Sequence, residues 1–245
     1  MAKVSVIVPA AGAGRRFGGK ENKVFAKIND SPLFMKTLEL FVNRDDVCQM
    51  ILAVSADDIE QFKDKYGAHI GLMGVKLVEG GAERCETVTR ALDAVSDEAD
   101  LVAVHDAVRP CVAQMWIDDV FARAAQTGAA ILACPLSGTL KRTDEAGMIA
   151  ETVSRTDLHE AQTPQVFAKQ LLLDAYAAIE NVPKPITDDA QVVEATGKPV
   201  AVVQGDPRNI KITTRGDLAL AAALIKSLPK PKVQPPRGPF EEAQW

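Results

Sequence analysis

The sequence predicts an α/β fold, a parallel sheet with helices packed on its faces, and three observations carry that prediction. Short apolar runs alternate with helical patterns along most of the chain, the order that sets strands side by side in one sheet. The first run, Val4-Ser-Val-Ile-Val-Pro9, is rich in β-branched residues, as a strand buried on both faces must be. It breaks into alanines and glycines, Ala10-Ala-Gly-Ala-Gly14, which suit a tight βα turn.

The elements follow in order. Strands are read at Val4–Pro9, Met50–Val54, Gly74–Val78, Leu101–His105 and Ala129–Pro135. Ser31-Pro32 reads as an N-cap followed by proline at the first helical position, opening a helix to about Val42. Asp57–Tyr66, Glu83–Val95 and Gln114–Gln126 are the next helices, with Gly128 stopping the last. The rhythm breaks at Leu136. Thr139–Thr143 and Met148–Val153 flank a turn holding Asp144, Glu145 and Gly147, which predicts a β-hairpin. The stretch 137–164 is too polar to build a core, so it is either an arm that clasps another subunit or a surface hairpin. Residues 168–180 and 187–196 then read as helices, Thr187-Asp188-Asp189 resembling a helix start. Pro199–Val203 is a strand and Arg215–Ser227 the closing helix. Residues 1–228 therefore read as one domain, and the proline-rich tail 229–245 is expected to be extended or disordered.

Composition bounds the function. With 245 residues, the chain holds one large α/β domain or one domain plus a small appendage. A net charge of −5 argues against wholesale nucleic-acid binding but leaves room for a local cationic pocket. No stretch approaches the length of a membrane span, and no signal-peptide pattern is read at the N-terminus. Cys48, Cys85, Cys111 and Cys134 are widely spaced, without C-x-x-C, and read as reduced thiols. His69, His105 and His159 lack metal-ligand spacing. A cytoplasmic protein is expected.

Chemistry concentrates where strands end, the place where open α/β sheets bind ligands. After the first strand, Gly12 and Gly14 let the backbone present N–H groups to an anion, beside Arg15, Arg16, Lys20 and Lys23. The dinucleotide fingerprint fails because Phe17 stands where its third glycine belongs. The Walker A pattern fails because Glu21 takes the hydroxyl position. After the third strand, the pair Gly80-Gly81 can approach a flat ligand, with Thr87 one turn into the helix. After the fourth, Asp106 can hold Mg²⁺ through oxygen, and Arg109 can grip a phosphate or pair with Asp106. Lys211, among apolar neighbours, either snorkels to the surface or aims into the cleft. Each has a plainer reading: a βα turn, a structural ion pair, a surface lysine. Together a nest, several cations and one metal-capable carboxylate suit phosphoryl or nucleotidyl transfer, where positioning and charge neutralisation do most of the work.

The motifs also carry a resemblance. Pro9–Arg16, Asn22-Lys23, Gly80–Arg84, His105–Pro110, Arg155 with Thr163–Gln165, Thr187–Asp189 and Asn209–Thr213 fall in the order found in the 2-C-methyl-D-erythritol 4-phosphate cytidylyltransferase family of the non-mevalonate isoprenoid route. The resemblance runs from about residue 3 to 227. It implies a Rossmann-like, mostly parallel sheet with helices on both faces and a protruding β-arm that builds a homodimer. It implies CTP and methylerythritol phosphate as substrates, CDP-methylerythritol and pyrophosphate as products, and Mg²⁺ as cofactor, with no nucleic acid and no membrane. By position, Arg16 and Lys23 would be catalytic, stabilising charge on the α-phosphate, and Asp106 would lie by the Mg²⁺. Arg109, Thr139, Thr163 and Lys211 would surround the methylerythritol phosphate, with Arg155 reaching in from the partner's arm. Ala10, Ala11, Gly12, Gly14, Gly80, Gly81 and Thr87 would hold the nucleotide. Ala82 stands where the family often carries Asp, and Thr87 where Ser is common, leaving backbone groups of the Gly80-Gly81 loop to read the cytosine edge. The rival readings are a cytidylyltransferase for another polyol phosphate such as ribitol 5-phosphate, a nucleotide-dependent oxidoreductase, and a non-catalytic nucleotide-binding regulator.

Overall fold

The computed structural model describes residues 1–12, 17 and 22–230. Strand β1 (Val4–Pro9) lies between two parallel partners, β4 (Val47–Val54) and β6 (Leu101–Val104). Its side chains alternate between two cores: Val4, Val6 and Val8 face one, Ile7 the other. Strand β4 repeats the pattern, with Met50, Leu52 and Val54 on the first side and Ile51 and Ala53 on the second. Two-sided burial is why these strands read as unbroken apolar runs.

Strands β5 (Val75–Glu79), β7 (Ala129–Pro135), β10 (His159–Ala168) and β11 (Ala201–Gln204) complete a sheet of seven, in the order β11-β7-β10-β6-β1-β4-β5. Helices α1 (Leu33–Leu38), α2 (Ala56–Leu72), α4 (Gln114–Thr127) and α7 (Gly216–Ser227) cover the first core. Helices α3 (Arg84–Leu92), α5 (Lys169–Ala177) and α6 (Asp189–Glu194) cover the second. The mostly parallel sheet with helices on both faces is thus present. Gly128 ends α4 with φ at 81° and its N–H on the Ala124 carbonyl, the left-handed stop that its position predicts.

Three readings need correction. Ser31-Pro32 does not begin a helix: as β3 it pairs with β2 (Lys27–Ile28) across Asn29 and Asp30 at φ 48° and 65°, a two-residue turn of primed type. The helix α1 is left with six residues and ends far short of Val42. The arm is also shorter than 137–164. Strands β8 (Leu140–Thr143) and β9 (Ile149–Val153) form the hairpin, but from His159 the chain re-enters the sheet. There β10 runs antiparallel between β6 and β7, buried from Gln162 to Phe167. Its buried Gln162, Thr163 and Gln165 hide the strand from any hydrophobic pattern, and Pro164 argues against a central position. The tail from residue 231 lies outside the described residues.

Candidate active site

A cleft of about 140 Å³ opens where β1 and β6 end, floored by Pro9, Ala10, Ala11 and Gly12 and by Asp106 with its two successors. The Ala10 N–H continues the sheet by donating to the Ala53 carbonyl. The turn after β5 packs closely against Ala11. A Cβ built on Gly80 would stand 2.7 Å from the Ala11 Cβ, and one on Gly81 only 2.4 Å from the Glu86 Cβ. The glycine pair is therefore demanded by the protein's own packing, rather than by a ligand alone. Thr87 closes this corner: its buried hydroxyl donates to the Glu83 carbonyl and accepts the Gly81 N–H at 3.1 Å.

Asp106 is the electrostatic centre. Its Oδ2 lies 2.6 Å from the Lys211 ammonium, its Oδ1 accepts from Arg84 Nε at 3.1 Å, and Arg109 Nε stands 3.8 Å away. Burial by itself would raise the carboxyl pKa, but the charges of Arg84, Lys211 and Arg109 outweigh it and hold Asp106 well below the usual carboxylate range. Lys211 therefore aims into the cleft. It is held there because the Ile212 N–H donates to the Val108 carbonyl and the Asn209 amide to the Thr163 carbonyl.

Behind Asp106 a chain of buried hydrogen bonds fixes its loop. The Asp106 N–H donates to Thr163 Oγ1 at 3.2 Å, and that hydroxyl meets His105 Nδ1 at 3.0 Å. His105 Nε2 lies 2.9 Å from the Arg109 carbonyl, which can only accept, so Nε2 carries the proton and Nδ1 accepts from Thr163. Burial pushes the His105 pKa down to about 4, so the ring is neutral. Arg109 is 6% exposed and outside the cleft lining, its guanidinium donating to the Asn209 and Ala161 carbonyls.

Lys23 lines the cleft from a short 3₁₀ turn, Lys23–Phe25. Asn22 caps that turn by accepting from the Val24 N–H, and its amide donates to Asp58 at the start of α2. Phe25 anchors the other end against Phe62, ring centroids 4.7 Å apart. Thr139 and Arg155 lie on the exposed arm, outside the cleft lining, with Arg155 donating to the Ser137 carbonyl. Gly14, Arg15, Arg16 and Lys20 lie outside the described residues.

Sequence reasoning passed over the cleft's other cation, Arg84, and what holds it. Its Nη1 and Nη2 donate to the two oxygens of buried Asp189 at 3.0 and 2.7 Å. Tyr176 donates its hydroxyl to the same carboxylate at 2.6 Å. Gln165 Oε1 accepts the Asp189 and Ala190 N–H groups, so it fastens α6 to β10. The available signal was a cation in the first turn of α3, where the helix dipole favours acids and an arginine needs a carboxylate from elsewhere.

A family model described as 2-C-methyl-D-erythritol 4-phosphate cytidylyltransferase matches residues 4–227. A Rhodopirellula baltica protein of that name is 46% identical over 235 residues, spanning 91% of this chain and 95% of its own. A Bacillus licheniformis protein of the same name is 36% identical over 222 residues, spanning 91% and 95%. The crystal structure of 2-C-methyl-D-erythritol 4-phosphate cytidylyltransferase from Thermus thermophilus superposes with a TM-score of 0.74 at 31% identity, covering 92% of this chain and all of its own. The Francisella tularensis structure of the same name gives 0.77 at 28% identity, covering 91% and 100%.

Proposed function

The chain belongs to the 2-C-methyl-D-erythritol 4-phosphate cytidylyltransferase family, and from that premise we propose how its cleft works. It is a nucleotidyltransferase that joins CMP from CTP to 2-C-methyl-D-erythritol 4-phosphate and releases pyrophosphate. The observation that carries the reading is a single buried carboxylate, Asp106, ringed by Lys211 and Arg84 in the cleft that Lys23 also lines. Such a cleft suits a polyphosphate.

A phosphate oxygen of the acceptor attacks the α-phosphorus of CTP in line, its P–O bond forming as the bond to pyrophosphate breaks. The nucleophile is already anionic, so the step needs no general base, and the neutral, enclosed His105 is left as a structural group. Lys23 and Arg16 offset the charge that grows on the α-phosphate. Lys211, Arg109, Thr139 and Thr163 serve the acceptor side. Ala10, Ala11, Gly12, Gly14 and the Gly80-Gly81-Thr87 corner serve the nucleotide. Asp106 fits a Mg²⁺ held mainly by nucleotide phosphates, since such ions take one or two carboxylates and complete their shell with phosphate and water. When bound, that ion would neutralise triphosphate charge.

Homodimerisation through the β8–β9 arm belongs to the same reading. It is supported by Met148 and Ile149, 67% and 64% exposed on the arm, and by Thr139 and Arg155 lying outside their own chain's cleft lining. Arg155 then serves the neighbouring subunit. The four cysteines are unpaired, and among the described residues no helix is long and apolar enough to cross a membrane. Placement in the cytoplasm is part of the same reading, supported by thiols of the kind that a reducing compartment keeps unpaired. The decisive experiment is pyrophosphate release with each of the four nucleoside triphosphates, offered methylerythritol phosphate or ribitol 5-phosphate. Turnover confined to CTP with methylerythritol phosphate supports the reading. Equal or better turnover with ribitol 5-phosphate overturns it.

A further inference from the structure

Arg84 joins two carboxylates of different standing. Asp106 lines the cleft, whereas Asp189 lies outside its lining, at the first turn of α6, with no exposed surface. The guanidinium gives its paired Nη groups to Asp189 and only its Nε to Asp106. The bidentate end is the fixed end, because a planar fork on a carboxylate sets both distance and plane. Asp189 is itself immobilised. Tyr176 on α5 donates to its Oδ1, and Gln165 on β10 accepts its backbone N–H. The chain of contacts therefore runs from three elements of the sheet's second face to one cleft carboxylate.

Stability alone does not account for this arrangement. A buried ion pair returns little or nothing against well-packed apolar residues of the same volume, since two charges must be stripped of water. What the pair does supply is orientation. An arginine loose in the cleft could lie flat on Asp106 and occupy both of its oxygens. Held from behind by Asp189, it offers Asp106 a single N–H and leaves the other carboxylate oxygen to Lys211.

We infer that Asp189 and Tyr176 are positioning residues for the nucleotide half of the reaction, acting through Arg84 to fix the orientation of Asp106. The inference rests on the proposed function for the name of the ligand, but not for the geometry. Outer contacts of this kind typically cost about 10–100-fold in activity when removed. Asp189→Asn keeps the shape and the backbone bond to Gln165 while removing the charge that grips Arg84. Tyr176→Phe keeps the ring and removes only the hydroxyl.

The test combines steady-state kinetics with both substrates varied and crystal structures of the two unliganded variants. Asp189→Asn is expected to lower kcat/KM for CTP about 10–100-fold with KM for methylerythritol phosphate unchanged, and Tyr176→Phe to lower it less. In the Asp189→Asn crystal, Arg84 should leave its single contact with Asp106. Wild-type kinetics with CTP in a folded Asp189→Asn enzyme would overturn the inference. So would a crystal in which Arg84 and Asp106 stay as they are. A loss falling equally on both substrates with a lowered melting point, and shared by Tyr176→Phe, would mark the network as structural only. If Asp189→Asn does not fold, Tyr176→Phe alone decides by the same two readouts. If the wild type does not turn over CTP at all, the proposed function fails, and the crystal of the variant still decides the positioning.

Discussion

Replacing Thr163 by valine separates two roles that the residue's place in the chain leaves entangled. The resemblance puts Thr163 beside the acceptor phosphate, yet its hydroxyl already accepts from the Asp106 N–H and donates to His105 Nδ1. Valine matches threonine in shape, so packing is preserved and only those two bonds are lost. Both orphaned groups are buried: His105 has no exposed surface, and Asp106 shows 6%. Leaving a buried donor or acceptor unpaired costs about 1–3 kcal/mol, so losing both partners in Thr163→Val is expected to cost about 2–6 kcal/mol in all. For a chain of this size that is a fall of about 4–24 °C in melting temperature, read by calorimetry or circular dichroism. Turnover should fall as well, because the loop carrying Asp106 is no longer pinned. Thr163→Ser keeps the hydroxyl and should stay within about 1 kcal/mol of the wild type. A Thr163→Val enzyme that melts within about 2 °C of the wild type, with only KM for methylerythritol phosphate raised, would refute the reasoning.

Three other outcomes are expected. Lys23→Ala should lower kcat about 10²–10³-fold while leaving the melting temperature near that of the wild type, and Arg16→Ala should behave alike; near-normal turnover in both removes the electrostatic mechanism. Acid should destabilise the fold through His105. Unfolded, the ring takes a proton near its ordinary pKa of 6.5; folded and buried, it refuses one until about 4. Its contribution is whole above pH 6.5 and is lost as pH falls toward 4, by up to about 3 kcal/mol, and Asp106 adds a loss only at still lower pH. Urea unfolding at neutral pH and at about pH 4.5 should show this slope, reduced in His105→Gln; identical slopes would show that the ring titrates normally. Finally, mixing Arg155→Ala with Lys23→Ala subunits should restore about a quarter of wild-type activity, since half the random dimers hold one complete site. No recovery would mean that the arm acts within its own subunit.

How far the sequence could be read depended on how each residue is stabilised. The strands of the parallel sheet were legible because both faces of β1, β4, β6 and β7 are buried in apolar contacts, and burial of that kind is written in composition alone. The stop at Gly128, the start of α6 at Asp188 and the hairpin of the arm were legible because turn and cap chemistry is local. Lys23 and Asp106 were legible as candidates because charge in the turns after buried strands has little packing reason to be there, whereas Lys211 stood open between surface and cleft until the fold set it 2.6 Å from Asp106.

Three-dimensional packing decided the rest. Strand β10 was invisible because half of its buried run, Gln162, Thr163 and Gln165, is polar and finds its partners elsewhere in the fold. A polar residue is buried only when its hydrogen bonds are met, and those partners are 23 to 58 positions away in sequence. The same holds for Arg84 and Asp189, 105 positions apart. Apolar burial needs only a hydrophobic surround and so announces itself along the chain, while a buried hydrogen bond or ion pair needs one particular atom at one distance, which only the folded chain supplies.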